Sequence, residues 1–368
     1  MNKLVIANLL HRPLRSMISV LAVAIEVVMI LSIVGIFMGM LNDTKDRTNG
    51  IGADLMLEPS GAAIFNGISG APMTVKLAEP LRKLPHIAVV APTIVKFNTG
   101  GGDFGVIDGI DFDTFDALKP FVFLSGSRFE GPDDAIIDDV FANAKPGYKV
   151  GDPITVMNHK FRVCGIVEHG KGARKLIPLD TLGKMMGAEG KVSIFYIRTD
   201  DPSNEAAVTE EIHNTPGLAD YPVMTMQDWL SEMTPDKLPG FNLALRVVTG
   251  IAVIVGFLVI FQSMYTAVLE RTREIGILKS LGSSKLMIVS VVLRETAVMA
   301  IAGVALGIVG TYLIRILLLH VFPTQHFEIT SEWLVRGAAI AFVGALFGSL
   351  YPAWMAARKD PIDALAYE

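Results

Sequence analysis

The sequence predicts a membrane protein with four transmembrane α-helices and a large extracytoplasmic α+β domain inserted between helices 1 and 2. The mean hydropathy of +0.47 over 368 residues is higher than a soluble domain of this size normally reaches. Four apolar segments are each long enough to cross the core of a bilayer, which takes about 20 helical residues. Residues 42–241, between the first two segments, are more polar and are divided by Gly, Pro, Asn and Asp.

The four spans are predicted at residues 17–41, 243–268, 286–319 and 337–357, with a bridge at 269–285 and a loop at 320–336. Lys and Arg concentrate in residues 1–16, in the bridge and in the tail at 358–368, whereas the loop holds only Arg336. By the positive-inside rule both termini and the bridge are cytoplasmic, and residues 42–241 lie outside. The first apolar run is too long for a cleavable signal core, so we expect an uncleaved anchor in the cell inner membrane.

Residues 42–241 contain several strand-like stretches separated by turn residues: "IAVVAPTIVKF", "FGVIDGIDF", "AIIDDVF", "PITVM", "KFRVCGIVE" and "VSIFYIRT". Two further stretches, "TVKLAEPLRKL" and "SNEAAVTEEIHN", are typical of helices. Many strands mixed with few helices predict an α+β domain.

This domain shows no pattern of catalytic or metal-binding residues. The paired acids Asp138 and Asp139 are typical of a strand end, and His159 and His169 have no second cluster of ligands. "GKGARK" comes nearest to a phosphate-binding loop but lacks its spacing. The net charge of −5 argues against a nucleic-acid partner, and the single cysteine, Cys164, is expected to be a buried apolar residue.

Within the spans, one acid and three glycine pairs stand out. Glu26 lies near the middle of the first span, where an acid costs about 3 kcal/mol on insertion scales. Gln262 or the hydroxyl of Thr266 in the second span is its expected partner. Glu26 then acts either as a polar hinge or substrate contact, or as a protonated or hydrogen-bonded packing residue in the helix bundle. Pairs spaced by four residues allow close helix packing, and they occur in three spans: Gly35 and Gly39, Gly303 and Gly307, Gly344 and Gly348.

The bridge "LERTREIGILKSLGSSK" has the pattern of a short helix. Ile275, Leu278 and Leu281 follow one another at three-residue spacing, and Ile277 and Leu281 are four residues apart. Together they predict an apolar stripe, with charged residues on the remaining faces. Gly282 is a natural helix stop, and Ser283 or Ser284 can cap the helix that follows. Such a helix on the cytoplasmic side either rests on lipid headgroups or docks a cytoplasmic partner.

The longer stretch "LERTREIGILKSLGSSKLMIVSVVLRET" resembles the signature of the FtsX-like permeases of ABC transporters, the MacB and LolC/LolE group of the type VII mechanotransmission superfamily. "IANLLHRPLRSMISVLAVAI" is similar to the family's amphipathic N-terminal helix and first span, and "YPAWMAARKDPIDALAYE" to its C-terminal tail. "LSGSRFEGPDDAIIDDVFA", "YKVGDPITV" and "FRVCGIVE" resemble its outer, MacB-like domain. The match covers almost the whole chain and is least specific at about 60–110.

The resemblance implies a permease half that works as a dimer of such chains, identical or paralogous, with two ABC ATPase subunits and surrounding membrane lipids. ATP and Mg belong to the ATPase, and no cofactor to this chain. Because the chain starts almost directly at the membrane, we expect the ATPase to be a separate polypeptide. A membrane-fusion protein stays open as a further partner. By motif match, these residues form the helix that couples to the ATPase: Glu270, Arg273, Glu274, Ile275, Gly276, Leu278, Lys279, Leu281 and Gly282.

The function that this family resemblance implies is ATP-driven export or extraction of a lipid, lipoprotein or small hydrophobic compound on the outer side. The alternative is a non-transporting FtsX-type regulator that activates an extracytoplasmic partner such as a cell-wall hydrolase. A membrane enzyme is disfavoured because the sequence shows no catalytic constellation.

Overall fold

The computed structural model of the protein describes residues 13–59, 72–98, 105–144, 147–237 and 240–359. Most of the predicted N-terminal helix and C-terminal tail, and the glycine cluster at 100–104, lie outside these ranges. The chain divides into two compact units. The membrane unit comprises Met1–Gly39, Pro239–Val321 and Phe327–Glu368, and the α+β unit comprises Met40–Leu238 and Phe322–His326.

In the described ranges the helices are α1 (Pro13–Asn49), α2 (Ala78–Arg82), α3 (Phe112–Leu118), α4 (Asp139–Asn143), α5 (Leu179–Met185), α6 (Glu205–Asn214), α7 (Met226–Glu232), α8 (Phe241–Glu270), α9 (Thr272–Ser280), α10 (Lys285–Val321) and α11 (Ser331–Arg358). The strands are β1 (Leu55–Leu57), β2 (Met73–Thr74), β3 (Ile87–Asn98), β4 (Gly105–Ile110), β5 (Phe123–Gly126), β6 (Asp134–Asp138), β7 (Pro153–Val156), β8 (His159–Val167), β9 (Lys175–Pro178), β10 (Lys191–Val192), β11 (Ile194–Thr199) and β12 (Val223–Thr225).

Four helices of the described chain, α1, α8, α10 and α11, are long and apolar enough to cross a membrane. They fall where the four spans are predicted, which confirms the fold class. The largest difference in length is at α1, which continues eight residues beyond the predicted span end at 41. Its last turns, from Met40 to Asn49, belong to the α+β unit.

Glycines bring the helices of the membrane unit into close contact. On α10, a Cβ added at Gly303 or Gly307 would lie 2.6 Å from the Cβ of Val23 or Val27 on α1. On α11, a Cβ at Gly348 would lie 2.8 Å from the carbonyl oxygen of Phe257 on α8. These distances are too short for any larger residue, so α10 packs on α1 and α11 packs on α8 at glycine positions.

Gly35 makes a different contact, because its close neighbour is a side chain from the connection between α10 and α11. A Cβ at Gly35 would lie 2.6 Å from the ring of Phe327, and the carbonyl of Gly35 accepts a hydrogen bond from the Glu328 amide. Gly39 is buried.

The α+β unit is built on a mixed sheet with the strand order β12-β1-β11-β3-β4-β9-β6-β8-β5, in which β7 pairs with β8. Only β4–β9 and β6–β8 are parallel among the described pairs. A separate antiparallel ribbon joins β2 and β10. Apolar side chains of β1, β3, β4, β6, β8 and β11 form the main core together with α2, α5 and α6. The predicted α+β class is confirmed.

The six strand-like stretches all contain strands, with one correction. In "AIIDDVF", only Ile136, Ile137 and their neighbours up to Asp138 form β6, and the residues after Asp138 are helical. Asp138 causes the change, because its Oδ1 accepts a hydrogen bond from the Phe141 amide at 2.7 Å and caps α4. The short strands β1, β5, β9 and β12 were not predicted, since three or four residues carry too little alternation to be recognised.

Candidate functional site

The bridge between α8 and α10 folds as a nine-residue helix, α9, with an ordered stop. Gly282 adopts a φ of 91°, and the Ser283 amide donates to the Leu278 carbonyl at 3.0 Å, which closes the helix in the manner of a Schellman motif. Ser284 then caps α10, since its Oγ accepts from the Met287 amide at 3.2 Å. The predicted helix stop and the predicted cap are both confirmed.

The residues of the predicted apolar stripe differ in their exposure. Ile275 is buried with 8% exposure, Leu278 is half-buried, and Leu281 is 79% exposed. Three-residue spacing turns each successive side chain by about 60° around the helix axis, so the stripe winds from the packed side of α9 to its exposed side. The Leu281 amide still donates to the Ile277 carbonyl at 3.1 Å. Ile277 is exposed as well, and so is Leu286 in the first turn of α10. We call Ile277, Leu281 and Leu286 the docking face.

The charged residues of the bridge differ in their surroundings. Arg273, Glu274 and Glu270 are exposed, whereas Lys279 is half-buried. The Lys279 Nζ donates to the carbonyl of Ala357 at 3.1 Å and also to that of Lys359, both at the end of α11. Lys279 therefore ties α9 to the end of the fourth membrane helix.

A buried ion pair that the sequence analysis missed joins the start of α9 to α10. The Arg271 guanidinium donates to Glu295 through two hydrogen bonds, of 2.6 Å and 3.0 Å, and both side chains are largely buried. The pair borders a cavity of about 90 Å³ that is otherwise lined mainly by apolar residues of α8, α9 and α10. Glu295 lies within the predicted third span at 286–319, and an acid inside a membrane span is the signal that could have revealed the pair.

Glu26 lies inside the membrane unit with only 3% exposure. Its carboxylate faces Gly256 of α8, where an added Cβ would collide with Oε2, and Gly344 of α11, where an added Cβ would lie 3.7 Å from Oε1. Neither oxygen has a hydrogen-bond partner among the described residues. The expected pairing with Gln262 or Thr266 is therefore wrong, because Gln262 is exposed and the Thr266 hydroxyl donates to its own helix.

In the α+β unit, a charged network surrounds the last turns of α1. Arg174 donates to Asp138 at 2.8 Å and to Asp43 of α1 at 2.9 Å. Arg47 donates to Asp43 at 3.0 Å and to the Gly172 carbonyl at 3.2 Å. The end of α1 is thus held by the segment 169–175 and, through Asp138, by the central sheet.

His326 completes this network. We call it the α1 anchor, and it consists of Asp43, Arg47, Asp138, Arg174 and His326. His326 lies 3.3 Å from Asp43 and 3.2 Å from Arg174, and it comes from the connection between α10 and α11. The segment "GKGARK", residues 170–175, has contacts that differ from those of a phosphate-binding loop. Its Gly172, Ala173 and Arg174 instead bind α1 and the buried acids around it.

Burial shifts the titration of two groups beside the anchor. Asp108 is buried, which raises its pKa to about 6, although the Ala173 amide and the charge of Arg47 act in the opposite direction. Burial lowers the pKa of Lys171 to about 7, and its Nζ donates to the Phe115 carbonyl and lies 3.9 Å from the Phe121 ring centre.

His159 and His169 each contact one surface acid. His159 lies 2.8 Å from Asp133, and His169 lies 3.0 Å from Asp139. In the part of the chain that the structure describes, no group of three or more His, Cys, Asp or Glu residues could hold a metal ion. Cys164 is buried, as predicted.

Comparison with known proteins agrees with this architecture. Residues 16–215 match the MacB-like periplasmic core domain, and residues 246–361 match the FtsX-like permease C-terminal domain. The first match alone covers more than half of the chain. The protein is a permease of the ABC transporter type, and it belongs to the FtsX-like permeases of the MacB group.

Two curated relatives illustrate the range of this family. The macrolide export ATP-binding/permease protein MacB of Shewanella sp. (strain W3-18-1) is 26% identical over 97% of this chain and 59% of its own length. The ABC transporter permease YvrN of Bacillus subtilis (strain 168), a protein described as uncharacterized, is 26% identical over 98% of both chains. The chain thus spans about three fifths of the MacB relative.

Two solved structures that resemble part of this chain are a periplasmic region and an extracellular domain. The periplasmic region of MacB from Actinobacillus actinomycetemcomitans is 17% identical, covers 49% of this chain and 92% of that one, and has a TM-score of 0.37. The extracellular domain of the ABC-type transporter YknZ from Gram-positive bacteria is also 17% identical, with a TM-score of 0.35 over 47% of this chain and 98% of that one.

Proposed function

We propose that this permease couples ATP hydrolysis by a separate ATPase subunit to movement of its α+β unit. It would thereby export or extract a lipid, a lipoprotein or a small hydrophobic compound on the outer side of the inner membrane. The working assembly contains a second permease chain, and the ATPase carries the ATP and Mg. Both termini and α9 face the cytoplasm in this proposal, and the α+β unit faces outward.

The observation that carries the proposal is the construction of α9. Its docking face leaves Ile277, Leu281 and Leu286 uncovered by the rest of the chain, and large exposed apolar side chains near a polar turn normally mark an interaction site. Arg273 and Glu274 are exposed beside them and can supply the polar rim of an interface. The ATPase is the partner that the family membership suggests for this surface.

The opposite side of α9 is fixed to the membrane helices, which suits a part that receives force. Arg271 bonds to Glu295 of α10, and Lys279 bonds to the end of α11. Movement of the docked partner would therefore be passed to two membrane helices instead of being absorbed by a flexible loop.

Continuity of α1 supplies the second half of the proposed route. This helix is unbroken from Pro13 to Asn49, and its last turns are held in the α1 anchor by Arg174 and Arg47. A shift of α1 along or about its axis would act on Asp43 and, through Arg174, on the strand β6 that ends at Asp138.

The substrate is proposed by analogy with the relatives alone. The MacB relative is named for macrolide export, which suggests a small hydrophobic compound. The alternative, a regulator that activates an outer partner such as a cell-wall hydrolase, would use the same docking face and the same anchor. An extraction assay on reconstituted vesicles separates the two, because only a transporter changes the distribution of a substrate.

Replacement of Leu281 by Asp tests the docking face. Because Leu281 is almost fully exposed, the variant should insert and unfold like the unchanged protein, yet lose co-purification with the ATPase and stimulation of its hydrolysis. Glu274→Ala should weaken the same two properties, since Glu274 is exposed beside the docking face.

The matched control is Val150→Asp, which places the same charge at an exposed apolar residue of the α+β unit. It should leave ATPase association unchanged. A Leu281→Asp protein that binds and stimulates the ATPase normally contradicts the proposed role of α9.

A further inference from the structure

We propose that Glu26 and an apolar groove between α8 and α11 form a binding site, within the membrane, for a lipophilic ammonium compound. The proposal does not rest on the coupling function, because it concerns only side chains of the membrane unit.

The groove has the size and surface of a small-molecule site. Its volume is about 530 Å³, within the roughly 300 to 1,000 Å³ that is typical of such sites. Val253 and Phe257 of α8 and Val343 and Phe347 of α11 form its sides, and every residue that lines it is apolar. Since α8 and α11 are membrane-spanning helices, a ligand can enter this groove from the bilayer without crossing water.

Glycine separates the groove from the carboxylate. Gly344 lines the groove, and its Cβ position lies 3.7 Å from Glu26 Oε1. Gly256, on the facing helix, approaches Glu26 Oε2 so closely that no side chain could stand there. Glu26 itself does not line the groove, so its carboxylate is reached only through the space that Gly344 leaves open.

The carboxylate determines which chemistry the site would take. An ionised carboxylate only accepts hydrogen bonds, and the described residues give Glu26 no donor. Within the membrane an unpaired acid is costly, and pairing with a cation that donates hydrogen bonds removes most of that cost. An ammonium group supplies both the charge and the donors, while its hydrocarbon part fills the groove.

A neutral lipid could fill the groove with hydrocarbon but carries no positive charge to pair with Glu26. An anionic headgroup would be repelled by the carboxylate. The competing explanation is a neutral carboxyl group that only fills space between α1, α8 and α11. This explanation predicts no preference for a charged ligand, so the two can be distinguished directly.

The test uses the full chain in phosphatidylcholine nanodiscs, without ATP or ATPase. The probe is dodecylamine with a diazirine in mid-chain, and the neutral control probe is dodecanol with the same diazirine. Photolabelling of α8 and α11 peptides is measured by mass spectrometry. We expect the amine to label the groove and Glu26→Gln to reduce this labelling about tenfold, the ratio that corresponds to one lost charge-assisted contact.

Three further variants keep the result interpretable. Val343→Trp fills the groove and should abolish labelling by the amine, whereas Val309→Trp, at an exposed position of α10 that does not line the groove, should not. Glu26→Asp retains the charge and should retain most of the labelling, which separates loss of charge from loss of folding.

Three results would overturn the proposal. One is equal labelling of the unchanged protein and Glu26→Gln. Another is labelling by dodecanol as strong as that by dodecylamine. The third is efficient crosslinking of two copies through Phe347→Cys, since it would show that a second chain covers the groove. Because no ATPase is present, failure of this test leaves the coupling proposal untouched, and the converse also holds.

Discussion

At the level of single residues, the buried acids differ in whether another group of the chain donates a hydrogen bond to them. Asp108 accepts a hydrogen bond from the Ala173 amide, and Glu295 is paired with Arg271. Glu26 alone of these three acids has no hydrogen-bond partner in the described chain. Buried polar groups are almost always hydrogen-bonded in native proteins, so an exception identifies a place to look for a ligand.

Replacement of Asp108 by Asn should change how stability depends on pH. The pKa of Asp108 rises from an ordinary value near 3.8 to about 6 in the folded protein. Between these values the folded state holds a proton that the unfolded state has released, so stability falls as pH rises from about 4 to about 6. Asn keeps the acceptor for the Ala173 amide and does not titrate. From pH 4 to 7 the variant should therefore gain on the order of 2–3 kcal/mol relative to the unchanged protein.

Denaturant unfolding of the α+β unit, followed in the full chain in detergent at a series of pH values, measures this difference. Asp113→Asn serves as the control, because the Asp113 side chain is 80% exposed. A difference between Asp108→Asn and the unchanged protein that is the same at pH 4 and pH 7 would disprove the assignment.

At the level of elements, α9 shows how a helix too short to be stable alone is held in place. Isolated helices below about 12 to 15 residues are marginal in water. Here α9 is stabilised by three other features. They are the buried side chain of Ile275, the cap at Gly282, and the hydrogen bonds from Arg271 and Lys279 to neighbouring helices. The element is therefore rigid on its inner side and open on its docking face.

Removal of one partner from the Arg271–Glu295 pair should lower the stability of the protein more than removal of both. Arg271→Ala leaves a buried carboxylate without its cation, which typically costs about 3 kcal/mol or more. The double variant Arg271→Met with Glu295→Leu removes both charges and should recover most of that loss. Thermal unfolding of the full chain in detergent measures both.

An exposed ion pair on α11 provides the comparison for this experiment. Glu332 and Arg336 are more than half exposed, so Glu332→Gln should cost less than about 1 kcal/mol. If Arg271→Ala costs no more than this control, the buried pair does not fix α9 to α10.

At the level of the whole molecule, the proposed function needs a mechanical route that begins at α9 and ends in the sheet. Each unit contains one part of it. In the membrane unit, glycine contacts pack α10 on α1 and α11 on α8. In the α+β unit, the α1 anchor joins the last turns of α1 to β6 through Arg174. The unbroken helix α1 belongs to both units.

Arg174→Ala should therefore uncouple ATP hydrolysis from the movement of the α+β unit. We expect the variant, assembled with its ATPase, to hydrolyse ATP at a near-normal rate. The nucleotide-dependent change in hydrogen exchange of the α+β unit should be lost, because Asp43 and Asp138 no longer share a cation. Hydrogen exchange with and without nucleotide, analysed by mass spectrometry, is the measurement.

The control for this experiment is Arg128→Ala, which removes an arginine from an exposed ion pair with Asp113. It should leave the response to nucleotide intact. A normal response in Arg174→Ala would show that force reaches the sheet by another route.

Much of the candidate site could be predicted because its signals are local. The limits of α9 follow from Gly282, whose φ is accessible mainly to glycine, and from Ser284, whose hydroxyl caps the next helix. Which face of α9 is exposed could not be predicted. That depends on where α8 and α10 lie, and the sequence period alone placed Leu281 with Ile275.

The sequence by itself determined the four membrane helices, the α+β class, the position of the bridge helix and the family, because hydropathy, caps and motifs are properties of contiguous residues. Only the tertiary structure decided that Arg271 pairs with Glu295, that Arg174 joins Asp43 to Asp138, and that Glu26 lies unpartnered behind Gly256 and Gly344. These pairings join residues far apart in the chain. They depend on how helices and strands pack, which no local pattern records.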